Sequence, residues 1–540
     1  MENPPRPAVE DALQSTTPDR PPQRGAFQRF LDTVEWLGNL LPHPVTLFAL
    51  FATAVVVISG IAEWFDLSVP DPRPEGARGR SPTGMINAVG LLNADGLRRI
   101  VENLVSNFVN FVPLGTVLVA LLGVGVAEAS GLLSAGIRAL VLRAPRNLIT
   151  VAIVFTGVIS NTASEAGYVI LIPLAGVIFL AIGRHPLAGM AAAFAGVSGG
   201  YSANLLIGTV DPLLSGITQE AAQLIDPDYT VHPLVNWYFM IASTFLVTGV
   251  GTWVTLRIVE PKLGEYDASR AEEGAADNRT LEPLTAIERK GLLAAGLAFL
   301  VVTSLILIAT VPQWGVLRNP ETQDLLDSPF LRGVVALIFI FFLIPGIAYG
   351  VTTGKFKSDR DVIDGMASAM SSLGLYIVLV FFAAQFVAFF GWTNLGAIVA
   401  VTGAGTLNAL GLTGPLIFVP FILVCAFINL MLGSASAQWA VTAPIFVPML
   451  MLVGYSPEVI QAAYRIGDST TNIITPMMSY FGLILAFAAR YDRKLGIGTI
   501  VATMLPYTLF FIVSWTALFL VWVFVLNLPV GPETSTYYTP

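Results

Sequence analysis

The sequence predicts an all-α, polytopic membrane protein built from two inverted halves, and three observations carry that prediction. Hydrophobic residues make up 55% of the 540 and charged residues only 12%, about half the charged share of a soluble domain. Apolar runs of about 20 residues, the length that crosses a bilayer, recur between polar connections, and mean hydropathy is +0.73. One pattern also occurs twice. A short run of small polar residues separates two apolar segments at Ser160-Asn161-Thr162-Ala163-Ser164-Glu165 and again at Gly433-Ser434-Ala435-Ser436-Ala437-Gln438. Neither flanking segment is expected to reach a comfortable spanning length. Pro173, Gly183, Pro186, Gly196 and Ser198 follow the first tip; Pro444, Gly454, Pro457, Gly467 and Ser469 follow the second with identical spacing, offset by 271 positions. Interrupted apolar segments at matching places in two halves point to a transporter binding site, so a secondary transporter is expected.

Residues 1–25, rich in Pro, Arg, Asp, Gln and Thr, form an expected disordered cytoplasmic tail with no apolar run for a cleaved signal. A surface helix is expected at 26–40. The first half, 26–258, places spans near 41–62, 107–128, 186–206 and 235–257, with a hairpin over 148–182. Arg138, Arg143 and Arg146 set the loop after the second span inside, by the positive-inside rule. An acidic stretch with Asp211, Glu220, Asp226 and Asp228 falls outside. Residues 259–290 read as a charged cytoplasmic linker. In the second half, 291–527, spans are expected near 291–312, 331–352, 373–391, 457–488 and 496–526, with an amphipathic piece at 361–372. Residues 395–412 are a partly inserted connector, 415–453 the second hairpin, and 528–540 a C-terminal tail. The total is nine spans and two hairpins, and the charge pattern brings the hairpins in from opposite faces.

Several function classes are excluded or disfavoured. No basic cluster suits nucleic acid. The single Cys425 and the dispersed His43, His185 and His232 build neither a disulfide framework nor a metal site. No Gly-rich Lys loop for ATP and no nucleophile–base spacing is present. An enzyme and a primary pump are thus disfavoured, and no cofactor is expected.

Irregular backbone at membrane depth persists only where protein buries it or a wet cavity receives it. The tips should therefore meet near a shared centre. Helix N-termini there would face anions, and Ser160, Asn161, Thr162, Ser164, Ser434 and Ser436 could supply oxygens to sodium; small residues also simply permit close helix packing. Arg465 and Asp468, three apart in the apolar eighth span, lie on one helix face. Such charges usually face a pathway or each other, so a self-compensating pair is the plainer alternative. Ser469, Thr470, Thr471 and Asn472 run on to Pro476, an expected helix break, and Pro457 is an expected helix start. Asp211, before Pro212, matches this break in the first half; it could equally be an ordinary loop carboxylate. Asn204 is a further polar candidate, and Glu165 sits directly at the first tip. Trp439 could stack on a substrate ring or serve in packing. Asp211 and Asp468 are candidates for proton coupling, the tips for sodium; the sequence does not choose between H+ and Na+.

At these residues the chain resembles the AbgT family of p-aminobenzoyl-glutamate transporters. The motifs are Ser160-Asn161-Thr162-Ala163-Ser164 with Pro173, Gly433-Ser434-Ala435-Ser436 with Trp439, and Arg465-Ile466-Gly467-Asp468-Ser469 with Asn472 and Pro476. The Ser-Asn-Thr tip is also similar to that of sodium-coupled dicarboxylate transporters in the wider ion-transporter superfamily. The resemblance implies a bacterial inner-membrane homodimer, each protomer divided into an outer scaffold and an inner transport core. It implies a small anionic aromatic substrate, with export of sulfonamide antimetabolites, and functional roles for Asp211, Ser436, Trp439, Pro457, Arg465, Asp468 and Pro476. The two carboxylates of p-aminobenzoyl-glutamate would suit Arg465 and the hairpin N-termini, its ring Trp439. A sodium-coupled dicarboxylate-type transporter and a channel-like protein are the alternatives.

Overall fold

A computed structural model describes residues 42–77, 79–163, 167–271, 283–325 and 328–539. The expected tail at 1–25, the surface helix at 26–40, and Ser164 and Glu165 of the first tip lie outside the described residues.

Helix α1 (Pro44–Trp64) starts at a proline behind His43, whose Nδ1 accepts from the Val45 N–H at 3.3 Å. A two-stranded antiparallel hairpin follows, β1 (Ser68–Pro70) with β2 (Met85–Asn87). The Arg73 guanidinium ties this hairpin to the rest of the fold: it holds Asp71 at 2.6 Å and donates to the Ile225 carbonyl at 2.6 Å. Burial pushes the Asp71 carboxyl up, but hydrogen bonds from the Arg73 side chain and the Ser81 N–H outweigh that and leave its pKa below the usual range.

Amphipathic α2 (Ala94–Val109) leads into α3 (Val112–Ser130). The basic loop expected next is largely helical. Gly131, at φ +87°, lets α4 (Leu132–Leu142) leave α3 directly. That helix meets the Arg146–Ser160 segment at 112°, which turns the chain back as the first hairpin arm, α5 (Ile149–Ser160). The return arm opens with a π turn at Gly167–Leu171 and continues as α6 (Ile172–Ala181). Helix α7 (Pro186–Phe194) runs through a second π turn to Gly199 and stops; α8 (Val210–Ala222) resumes ten residues later, and α9 (Trp237–Val254) closes the first half.

The second half begins with α10 (Ala286–Thr310), whose Thr285–Glu288 capping box satisfies its first amides. Then come α11 (Val334–Thr353), α12 (Asp359–Ser372), α13 (Gly374–Trp392) and α14 (Leu395–Ala409), which at 15 residues is too short to cross a bilayer upright. Hairpin arms α15 (Phe418–Leu432) and α16 (Ala435–Val453) turn at Gly433, φ +57°. Helix α17 (Pro457–Thr471) breaks over 472–480 before α18 (Phe481–Ala489), and α19 (Ile497–Leu520) follows.

Among the described residues nine helices are long and apolar enough to cross a membrane. The number is the expected one, but two members differ. Both arms of the second hairpin, Pro415–Leu432 with the turn that leads into α15 and Ala435–Val453, qualify by length at 18 and 19 residues, so the expectation of short arms fails there. A left-handed glycine, not a shortage of apolar residues, ends the first of them. Conversely, the expected spans at 186–206 and 457–488 are each broken helices.

Helices α1, α3, α10, α11, α12 and α13 pack mainly among themselves as the scaffold, while α5–α9, α15–α17 and α19 interlock as the transport core. Exposed Leu293, Leu297, Leu300 and Leu305 on α10 suit a lipid-facing surface. The core halves are built alike. A Cβ added to Gly196 would lie 2.4 Å from the Val154 carbonyl oxygen, and one on Gly467 2.6 Å from that of Ile422. In each half the broken span therefore crosses the first hairpin arm backbone to backbone. Residues 260–270, within the expected linker, are docked: Glu260 pairs with Arg184, and the Arg270 carbonyl accepts from the Arg493 N–H at 3.1 Å. The end of the chain also packs back, with Ser456 bonded to the carbonyls of Ser535 and Thr536.

Candidate functional site

Each tip rests on the break of its own half. Gly208 lies against Asn161 and Thr162, and Gly433 against the Met477 backbone. The side-chain bonds that fix these contacts repeat. Asn161 Nδ2 donates to the Gly200 carbonyl at 3.3 Å and Thr162 Oγ1 to Asn204 Oδ1 at 3.3 Å, across separations of 39 and 42 residues. Asn429 Nδ2 lies 2.6 Å from the Asp468 carbonyl oxygen and 3.0 Å from Thr471 Oγ1, across the same separations, and 2.8 Å from Asn472 Oδ1. Asn429 is therefore the counterpart of Asn161. The sequence reading missed it because the offset between the two asparagines is 268, not the 271 of the Pro and Gly positions. Its only signal was a lone amide in an apolar arm.

Both asparagines keep a buried carbonyl oxygen without a hydrogen bond among the described residues, Asn161 Oδ1 and Asn429 Oδ1. Ser160 Oγ is taken by the Gly157 carbonyl at 2.6 Å. Ser434 and Ser436 are half-buried and share one contact of 3.5 Å.

The two halves meet on α17. Arg465, 1% exposed, places Nη1 at 2.7 Å from Asp211 Oδ1 and donates through Nη2 to the Ser202 carbonyl at 3.0 Å. The Ser202 N–H in turn donates to Ser469 Oγ at 3.1 Å. Asp211 is thus no loop carboxylate. It is buried in the first turn of α8, where free amides favour an anion, and its second oxygen accepts from the Gly208 N–H at 2.7 Å.

The plainer alternative, an Arg465–Asp468 pair, is also not what forms. Asp468 is 0% exposed, and neither carboxylate oxygen has a hydrogen-bond partner among the described residues. Tyr464, one turn earlier, gives its hydroxyl to the Ala435 carbonyl at 2.6 Å while staying close enough to the Asp468 carboxyl to interact with it electrostatically. Sequence spacing put both charges on one face; it could not show that the first-half break would bring a second carboxylate to the arginine.

Trp439 is fully buried. Its indole stacks on Tyr464 at 4.1 Å and 21°, and its N–H donates to Thr218 Oγ1 at 2.8 Å. In this conformation the two rings cover each other, so Trp439 lines no open cavity. Pro457 occupies the first turn of α17 behind the Ser456 cap, and Pro476 lies inside the break, both as expected. Asn472 joins the Asn429 cluster. No group of three or more Asp, Glu, His or Cys is placed to hold a metal among the described residues.

Paired hairpins resting on broken helices, with an ion pair drawn from both halves at their crossing, mark a membrane transporter. The model of the AbgT putative transporter family matches residues 29–538, and the chain belongs to that family. It is 38% identical over 499 residues to the p-aminobenzoyl-glutamate transport protein of Escherichia coli K12, covering 92% of this chain and 95% of that one. The solved structure of Neisseria gonorrhoeae MtrF, described as illuminating a class of antimetabolite efflux pumps, superposes with a TM-score of 0.88 at 60% identity, covering 94% of this chain and all of MtrF. The Alcanivorax borkumensis YdaH transporter, described as having an unusual topology, gives 0.82 at 44% identity over 91% of this chain and all of YdaH. The protein is accordingly a multi-pass transporter of the bacterial inner membrane, not an enzyme.

Proposed function

We propose that this protein is an ion-coupled secondary transporter of p-aminobenzoyl-glutamate and related folate-type anions, and that it also exports sulfonamide antimetabolites. The observation that carries the reading is the Arg465–Asp211 pair beside the unpartnered Asp468. A substrate carboxylate that takes Arg465 must displace Asp211, and a displaced, buried carboxylate is far cheaper protonated than charged. Anion binding and proton uptake are thereby linked at one guanidinium, and the exchange can run in either direction. The stacked Trp439 and Tyr464 rings offer an aromatic surface to an aminobenzene ring once they part. Sulfonamides carry that ring without the glutamate, so their recognition rests more on the ring pair than on Arg465.

A sodium-coupled reading has its own support in the buried carbonyl oxygens of Asn161 and Asn429, since such unsatisfied oxygens suit a hard cation. Uptake of labelled p-aminobenzoyl-glutamate into proteoliposomes, under a proton gradient or a sodium gradient imposed separately, decides between them. Flux that follows neither gradient and shows no exchange removes the substrate assignment.

A further inference from the structure

Helix α17 carries more ionisable chemistry than the Arg465 site uses. Glu458, Gln461, Arg465, Asp468 and Asn472 follow one another at intervals of three or four residues, a spacing that lines one helix face. All five are buried. Glu458 stands at the mouth of this stripe, in the first turn, on the face where the sequence places the acidic outer loops. At 1.5 Å per residue it lies about 10 Å along the axis from Arg465 and about 15 Å from Asp468.

Its surroundings hold hydroxyls, amides and carboxylates, with no ion-pair partner for Glu458 among the described residues. The Tyr229 hydroxyl sits 3.0 Å from both Glu458 oxygens. Beyond it, the Tyr229 ring meets Tyr538 edge-on at 5.9 Å, and the Tyr538 hydroxyl approaches Asp226 Oδ2 at 3.4 Å. Inward, Asn236 donates to the Glu458 carbonyl at 2.8 Å and accepts from Gln461 Nε2 at 2.7 Å. Gln461 Oε1 accepts from Thr218 Oγ1 at 2.6 Å, and Thr218 holds the Trp439 indole. The groups around Glu458 are thus Ser456 at its own N-cap, Tyr229, Asn236 and Asp226 from the α8–α9 connection, Tyr538 from the chain end, and Gln461 and Arg465 further along α17. A buried carboxylate with no counter-charge is a poor structural choice, but it is what a proton-exchange site requires.

We propose that Glu458 is an outward proton-exchange site of the transport core, charging and discharging protons between the external water and the Asp211–Arg465–Asp468 centre. The chemistry is proton transfer alone. An O–H bond forms on the Glu458 carboxyl as one breaks on an external hydronium, and the proton passes along the polar stripe when outward opening wets it. The inference rests on the proton-coupled reading above.

The test compares net and exchange transport of labelled p-aminobenzoyl-glutamate in proteoliposomes of the full chain. Glu458→Gln is expected to lose proton-gradient-driven flux and to retain substrate–substrate exchange, which needs no net proton movement. Tyr229→Phe keeps the carboxyl and removes its donor; it is expected to move the external pH at which driven flux is half-maximal. Undiminished driven flux in Glu458→Gln overturns the proposal, as does loss of exchange together with driven flux in a protein that still elutes as a folded species. Should Glu458→Gln fail to fold, an unmoved midpoint in Tyr229→Phe overturns it. Failure of the underlying reading is distinct and appears first in the wild type, as flux that follows sodium and ignores the proton gradient.

Discussion

Removing the partner of Arg465 tests whether the guanidinium belongs to Asp211 or to Asp468. In Asp211→Asn the arginine stays 1% exposed and keeps one carbonyl bond, to Ser202, while Nε already lacks a partner. Breaking a buried ion pair from one side costs about 3–5 kcal/mol, because a charge remains without compensation. Arg465→Gln leaves Asp211 with the Gly208 amide as its one hydrogen-bond donor among the described residues and should cost a similar amount. With both charges gone, the Asp211→Asn/Arg465→Gln protein is expected to be less destabilised than the sum by about 1–3 kcal/mol. Unfolding by SDS in mixed micelles, followed by far-UV circular dichroism, measures all three against the wild type. A second cycle pairs Arg465→Gln with Asp468→Asn, and its coupling is expected to be the smaller. Equal or larger coupling to Asp468, as the three-residue spacing alone would suggest, refutes the assignment of Asp211 as the arginine's partner.

Three further outcomes are expected. Gly196→Ala and Gly467→Ala, whose Cβ atoms would press on Val154 and Ile422 carbonyls, should each destabilise by about 1–3 kcal/mol in the same titration, whereas Gly249→Ala, with open space around it, should be neutral or better. Asn429→Ala, which leaves the buried Asp468 carbonyl and Asn472 side chain unpaired, should cost about 1–3 kcal/mol and more than Asn161→Ala, which loses one bond of 3.3 Å. Asp71 has a folded pKa below its unfolded value, so its contribution is fully present above about pH 4 and is lost as pH falls through the lower folded pKa; Asp71→Asn should lower thermal stability at neutral pH, with the difference from wild type shrinking in acid.

The helices were legible because apolar runs of spanning length have few other uses, and the paired tips because Pro and Gly mark breaks by their backbone chemistry. What stayed hidden depended on which elements meet. Asp211 is as plausible a loop carboxylate as a functional one in the sequence; only the fold shows it in the first turn of a helix that begins just after the break. Asn429 fell outside the repeat register because the tips differ in length. For Arg465 and Asp468 the sequence left a self-compensating pair open beside a pathway role because helix spacing is local information, while the arginine's actual partner, Asp211, comes from the other half. Trp439 was visible as an aromatic near a tip, but not that Tyr464 would cover its face.

Ser202, which gives its carbonyl to Arg465, is made 263 residues earlier. At a synthesis rate of about 5–20 residues per second, that interval is roughly 13–53 s. For nearly all of it the nascent first half holds Asp211 without the Arg465 that pairs with it. The first half alone therefore leaves its central carboxylate without a counter-charge, and a buried carboxylate in that state is costly unless it is protonated or reached by water.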